Sequence, residues 1–207
     1  MGEMMLLGTF ILGGTNGVSK LVTHRHRSQL VAAYGGATMC GYSDNDIMTA
    51  TLPLFHVAGT IVGGLSAFMA GVELVVLSPG GLRNPVIIQN FWRLSAQYEV
   101  TIVRGVPTAL GAVLQILAGE NKFSTLRIGL TGAALLPPTV GERFEQITNC
   151  PLHEILGMTE TSGLVSIDPT SGPGLKGSVG WALPYTNVEI LRLNDDSTLG
   201  NRCDVEE

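Results

Sequence analysis

Apolar residues recur along this chain in two rhythms. Short runs rich in β-branched and aliphatic residues fall at 5–12, 48–52, 73–77, 101–104, 126–131, 153–156 and 187–193, and predict strands. Longer stretches of helical character fall at 28–40, 57–70, 85–98, 107–118 and 138–148. Pro107 and Pro138 suit the first turn of a helix, where a missing N–H costs nothing. Strand and helix following one another in this way predict an α/β fold, with a mainly parallel sheet covered by helices on both faces. Functional groups in such folds collect at the carboxyl ends of the strands. Four unusual segments follow predicted strands: "GGTNGVSK" at 13–20, "LPLFHVAG" at 52–59, "GAALLPP" at 132–138 and "GMTETSG" at 157–163. They are expected to meet at one edge of a single sheet.

Composition narrows the class. With 207 residues, 45% hydrophobic and 14% charged, the chain can bury a substantial core and is not a disordered segment. A net charge of -5 carried with only 12 basic residues supplies no electrostatic footprint for nucleic acid. The one basic cluster, "HRHR" at 24–27, reads as a solvated helix start. Cys40, Cys150 and Cys203 lie far apart without C-x-x-C spacing, which fits a reduced, cytoplasmic compartment better than a disulfide framework or a zinc site. The run at 57–72 is uncharged but shorter than the roughly 20 residues that span a bilayer, so a buried helix is preferred to a transmembrane one. The opening residues carry Glu3 and lack a basic start, so they read as a strand and not a signal peptide.

The segment at 10–20, "FILGGTNGVSK", carries the first chemical signal. An apolar strand entering a glycine-rich loop closed by lysine can hold phosphate, because glycine lets backbone N–H groups approach an anion while hydroxyl, amide and ammonium groups donate to it. Neither the Walker pattern nor the dinucleotide fingerprint fits its spacing. Taken alone, this loop reads better as a flexible surface turn with an incidental lysine. "MTET" could be a helix N-cap followed by a solvated acid, "GAA" a site of close packing, and His56 a structural histidine.

The order of the motifs weighs more than any one of them. Gly14 to Lys20, "LPLFHVAG", "GAALL", "GMTET" and "GSVGWALP" at 177–184 resemble, in sequence order and rough spacing, the adenylate-forming superfamily of acyl- and aryl-CoA synthetases, luciferases and nonribosomal adenylation domains. Among these the chain looks most like a fatty or other carboxylic acyl-CoA synthetase. The resemblance covers essentially the whole chain and implies a fragment, 1–207, of the large AMP-binding domain. It also implies an ATP-dependent, AMP-forming acid-thiol ligase: a carboxylate attacks the α-phosphate of ATP, pyrophosphate leaves, and CoA captures the acyl-adenylate.

Residue by residue, the resemblance places Gly14, Thr15, Asn16, Gly17 and Lys20 around the β- and γ-phosphates. Thr159 becomes a hydroxyl donor to the α-phosphate, and Glu160 the carboxylate ligand of Mg²⁺, a cation that needs only one or two protein carboxylates. Gly132, Ala133 and Ala134 would pack on adenine, with Gly157 and Met158 beside them. His56 would stand near the acyl carbonyl and the thiol entry path. Val57, Ala58 and Thr60 are further acyl-pocket candidates, although helix packing explains them equally well.

The chain departs from the family pattern in four places. Leu12 and Asn16 stand where hydroxyl residues are usual, Ser19 where proline is usual, and Leu156 where an aromatic residue commonly stacks on adenine. The family's ribose-binding aspartate, hinge and C-terminal lysine domain are expected beyond Glu207, and a sizeable N-terminal portion before Met1. A noncatalytic nucleotide- or acyl-binding remnant is the alternative function.

Overall fold

The computed structural model describes residues 6–12, 20–119, 123–172, 174–195 and 198–203. The glycine-rich loop at 13–19, including Gly14, Thr15, Asn16 and Gly17, lies outside the described residues.

The centre of the fold is a seven-stranded sheet in the order β4-β3-β5-β6-β7-β8-β9. Its first five strands are β4 (Glu73–Val75), β3 (Ile47–Thr49), β5 (Ile102–Gly105), β6 (Ile128–Gly132) and β7 (Leu152–Met158), and all of them pair in parallel. β8 (Gly163–Ile167) and β9 (Trp181–Ala182) add antiparallel to that edge. Parallel strands covered on both faces read as continuous apolar runs, and β5 is buried along its whole length.

Alternation along β5 feeds two cores. Ile102 joins Met48, Val62, Ala67, Ile128 and Leu130 on one face. Val103 joins Phe91, Trp92, Leu110 and Phe144 on the other. The first face is covered by α1 (His26–Met39) and by a helix whose π-helical first part, Ala58–Leu65, continues into α2 (Ser66–Ala70). The second is covered by α3 (Pro85–Gln97), α4 (Pro107–Leu114) and α5 (Pro138–Thr148). Each of these last three opens with proline in its first turn, and α3 is also capped by Asn84, whose side chain accepts from the Val86 N–H at 3.0 Å. The mainly parallel sheet with two helical layers is therefore as the periodicity predicts, and the uncharged run at 57–70 is a core helix. Among the described residues, no helix is long and apolar enough to cross a membrane.

Three expectations need correction. The first predicted strand does not enter the main sheet: β1 (Leu6–Leu12) pairs antiparallel with β2 (Lys20–Arg25) in a separate two-stranded sheet. A local hairpin satisfies both strands' backbones without the long crossover that parallel pairing requires. The last predicted strand is shorter, and among the described residues β10 (Leu191–Leu193) pairs only with β11 (Leu199–Arg202). Finally, "HRHR" is a solvated helix start only from Arg25 onward: Arg25 and Arg27 are exposed where α1 begins, but His24 ends up 1% exposed on β2, with its ring 4.8 Å from that of Phe10.

The amino ends of the parallel strands are locked by Asp46. Its carboxylate accepts from the Arg127 guanidinium, from the Thr101 hydroxyl at 2.8 Å and from the Ser43 N–H at 2.9 Å, tying the β3, β5 and β6 entries together.

Candidate functional site

A cavity of about 570 Å³ opens at the carboxyl ends of the parallel strands, where this class of sheet places its ligands. The segment after β3 contributes Thr51, Leu52, Pro53, His56 and Val57; β5 contributes Arg104, Gly105 and Val106; β6 contributes Thr131, Gly132 and Ala133; β7 contributes Ile155, Gly157 and Met158. Three of the four unusual segments, from distant parts of the sequence, thus meet at one edge as expected. Of the proposed acyl-pocket residues, Val57 and Ala58 line the cavity and Thr60 does not.

Gly132 is set by close packing of strand ends. A Cβ at this position would stand 2.4 Å from the Ile155 carbonyl oxygen, so only glycine lets β6 lie against β7 here. Ala133 follows with φ 68°, a left-handed conformation that costs a residue with a Cβ about 1–2 kcal/mol. Strain of this kind turns the chain sharply out of the sheet at the cavity mouth. Ala134 lies beyond that turn, exposed and outside the cavity lining.

His56 is at the exposed rim. Its Nδ1 accepts from the Ala58 N–H at 3.1 Å, which leaves Nε2 to carry the proton of the neutral ring. Burial of the ring, and secondly the Arg83 guanidinium, lower its pKa below the ordinary 6.5. Arg83 itself lies over the Phe55 ring, 5.5 Å from its centroid.

β7 ends in a tight turn, Thr159–Thr161, closed by Ser162 at φ 63°. Thr159 is buried and Glu160 is exposed beside the cavity-lining Met158. This turn is held from two sides. His24 Nε2 donates to the Thr159 carbonyl at 2.6 Å, while its Nδ1 accepts from the Gln29 amide at 3.3 Å. The Ser162 hydroxyl meets that of Ser28 at 2.9 Å. Lys20 is exposed at the other end of β2, paired across the hairpin with Leu12. At about 3.3 Å per residue, its backbone stands roughly 13 Å along the strand from the His24 contact. The hairpin therefore joins the Thr159 turn through His24, not through Lys20.

Two residues escaped the sequence reading. His24 gave only an ambiguous signal, one histidine in a basic cluster. Arg104 had a clearer one: a single charge inside the otherwise apolar run "TIVRGVP". It is 3% exposed and lines the cavity.

A mainly parallel α/β sheet thus carries at its carboxyl edge a cavity that adjoins a Thr-Glu turn. The chain belongs to the AMP-binding enzyme family, whose model matches residues 13–203. It is 30% identical over 204 residues to a marinolic acid–CoA ligase of Pseudoalteromonas sp., covering 96% of this chain and 31% of that protein. It is 33% identical over 191 residues to a long-chain-fatty-acid–CoA ligase of Yersinia pestis, covering 89% of this chain and 32% of that one. The crystal structure of a long-chain-fatty-acid–CoA ligase from Archaeoglobus fulgidus superposes with a TM-score of 0.81 at 25% identity, covering 96% of this chain and 40% of that one. The chain thus spans about a third of the length of the curated relatives it matches.

Proposed function

We propose that this chain is a segment of the large AMP-binding domain of an acyl-CoA synthetase, which activates a carboxylic acid with ATP and passes the acyl group to CoA. The observation that carries this reading is the 570 Å³ cavity, whose rim contains His56, Gly132, Ala133 and Met158 and which adjoins the Thr159–Glu160 turn. An acyl chain would lie in the cavity with its carboxylate at the rim. Adenine would pack on the turned-out backbone of Gly132, Ala133 and Ala134, beside Gly157. The Thr159 hydroxyl would donate to the α-phosphate, where the negative charge grows as the acyl oxygen attacks. Lys20, with Gly14, Thr15, Asn16 and Gly17, would neutralise the departing pyrophosphate. His56, neutral above its lowered pKa, would stand at the thiol entry with its Nε2–H available.

Magnesium fits this donor set through Glu160. No cluster of three or more metal-ligating side chains occurs among the described residues, and a single exposed carboxylate plus phosphate oxygens and water is the coordination Mg²⁺ ordinarily takes. Bound there, the ion would offset charge on the β- and γ-phosphates. A cytoplasmic setting is supported by three free cysteines, of which burial pushes Cys40 up to about 11 and Cys150 up to about 12.

A noncatalytic acyl- or nucleotide-binding module is the second reading. It is favoured by Leu156, 36% exposed where an aromatic stacking partner would strengthen adenine binding. Calorimetry with an acyl-sulfamoyl adenosine, a stable mimic of the acyl-adenylate, tests the proposal. Binding with 1:1 stoichiometry is expected. Glu160→Gln and Lys20→Ala should weaken Mg·ATP binding about ten- to a hundredfold, as loss of a charge-assisted phosphate contact does, without changing stability, because both side chains are exposed. Unchanged affinities in both variants would place the nucleotide elsewhere.

A further inference from the structure

Arg104 is an unusual wall for an acyl cavity. The lining around it is apolar, with Val62, Leu82, Ile88, Leu130 and Leu164. The guanidinium is fixed on one edge only. Nη1 donates to the Val62 carbonyl in the π-helical segment at 2.5 Å and lies 3.9 Å from the Met48 sulfur. Nε is fully buried and, among the described residues, has no hydrogen-bond partner. Among the described residues, no carboxylate forms an ion pair with Arg104.

A buried cation without a counter-charge costs several kcal/mol and is kept only where something compensates it. Nε is shut away from the cavity, so a carboxylate lying there would meet the guanidinium at its Nη2 end, in a charge-assisted hydrogen bond. Position decides which carboxylate. His56 and Met158 are exposed at the rim, whereas Arg104 is buried at the floor. The carboxyl group being activated must remain at the rim with the phosphates, so the group that meets Arg104 belongs to the far end of the acid.

We infer that the acid taken by this cavity carries a second carboxylate at its distal end, held by Arg104, so that the substrate class is dicarboxylic or similarly end-functionalised aliphatic acids. This rests on the reading of the cavity as the acyl site. Arg104 would then select for substrate, with the apolar walls setting the spacing between the two carboxylates.

The test measures calorimetric affinities of the wild-type chain for matched pairs: adipate against hexanoate, suberate against octanoate, sebacate against decanoate. At least one dicarboxylate should bind about ten- to a hundredfold more tightly than its monocarboxylate partner, the range of a charge-assisted hydrogen bond. In Arg104→Met that ratio should collapse to near one, and Arg104→Lys, which keeps the charge on a differently placed donor, should fall between. Monocarboxylates binding as well as or better than every dicarboxylate would overturn the inference and leave the acyl-site reading standing. Binding of neither class would sink both. The wild-type comparison does not depend on either variant folding.

Discussion

His24 Nε2 donates to the carbonyl of Thr159 across 2.6 Å, joining residues 135 positions apart. Through this bond the β1–β2 hairpin, which shares no strand pairing with the main sheet, is anchored to the turn that follows β7. The contact is buried, and Phe10 closes it from the hairpin side.

Removing it should cost stability and binding together. His24→Ala leaves a buried carbonyl without its donor and a void beneath Phe10, an expected loss of about 3 kcal/mol. His24→Gln, whose amide can still donate, should recover part of it. Urea unfolding measures the first effect, and affinity for Mg·ATP the second. An unaltered midpoint in His24→Ala would show that the hairpin is held by other contacts.

The two neighbours Gly132 and Ala133 should respond oppositely to substitution. Gly132→Ala forces a methyl to within 2.4 Å of the Ile155 oxygen and should destabilise by about 1–3 kcal/mol. Ala133→Gly relieves a left-handed alanine at φ 68° and should raise stability by up to about 1 kcal/mol. Paired thermal melts would decide it, with a lower melting temperature for Ala133→Gly counting against the strain.

Asp46 should make the fold acid-sensitive. Burial alone would raise its pKa, but hydrogen bonds from Arg127, Thr101 and Ser43 outweigh that and hold it below the ordinary 3.8. A depressed carboxylate contributes stability that is fully present above the unfolded value and is lost as pH falls through the folded one. Wild type should therefore lose stability below about pH 4, whereas Asp46→Asn should be less stable at neutral pH and flatter in this range. Because Arg127 is partly exposed, the neutral-pH loss should be about 3 kcal/mol, at the low end for breaking a buried pair. Parallel curves from pH 3 to 7 would rule out this role.

His56 should titrate below 6.5 when followed by its ring protons in NMR. Burial is the larger cause and Arg83 the lesser, so Arg83→Met should raise the midpoint only part of the way back. Full recovery in that variant would reverse the order of the two causes.

Much of this protein is legible locally. Buried parallel strands need continuous apolar runs, and helices entered through Pro107 and Pro138 need proline only where no N–H is used. These requirements act over a few residues, so periodicity and turn chemistry determine the α/β class, the buried helix at 57–70 and the unusual segments that follow the strands. Motif order added the family, and with it His56, Gly132, Ala133, Gly157 and Met158, which the structure brings to one cavity. Which strand pairs with which was not written in the apolar runs themselves. β1 and β2 pair with each other because a hairpin is the nearest way to satisfy their backbones, and nothing in an apolar run says which edge it will meet. The environments of His24 and Arg104 were likewise decided only when distant elements closed over them. Burial, and the identity of each partner across the fold, turn a histidine in a basic cluster into an anchor for the Thr159 turn and an arginine in a strand into a charged floor of the cavity.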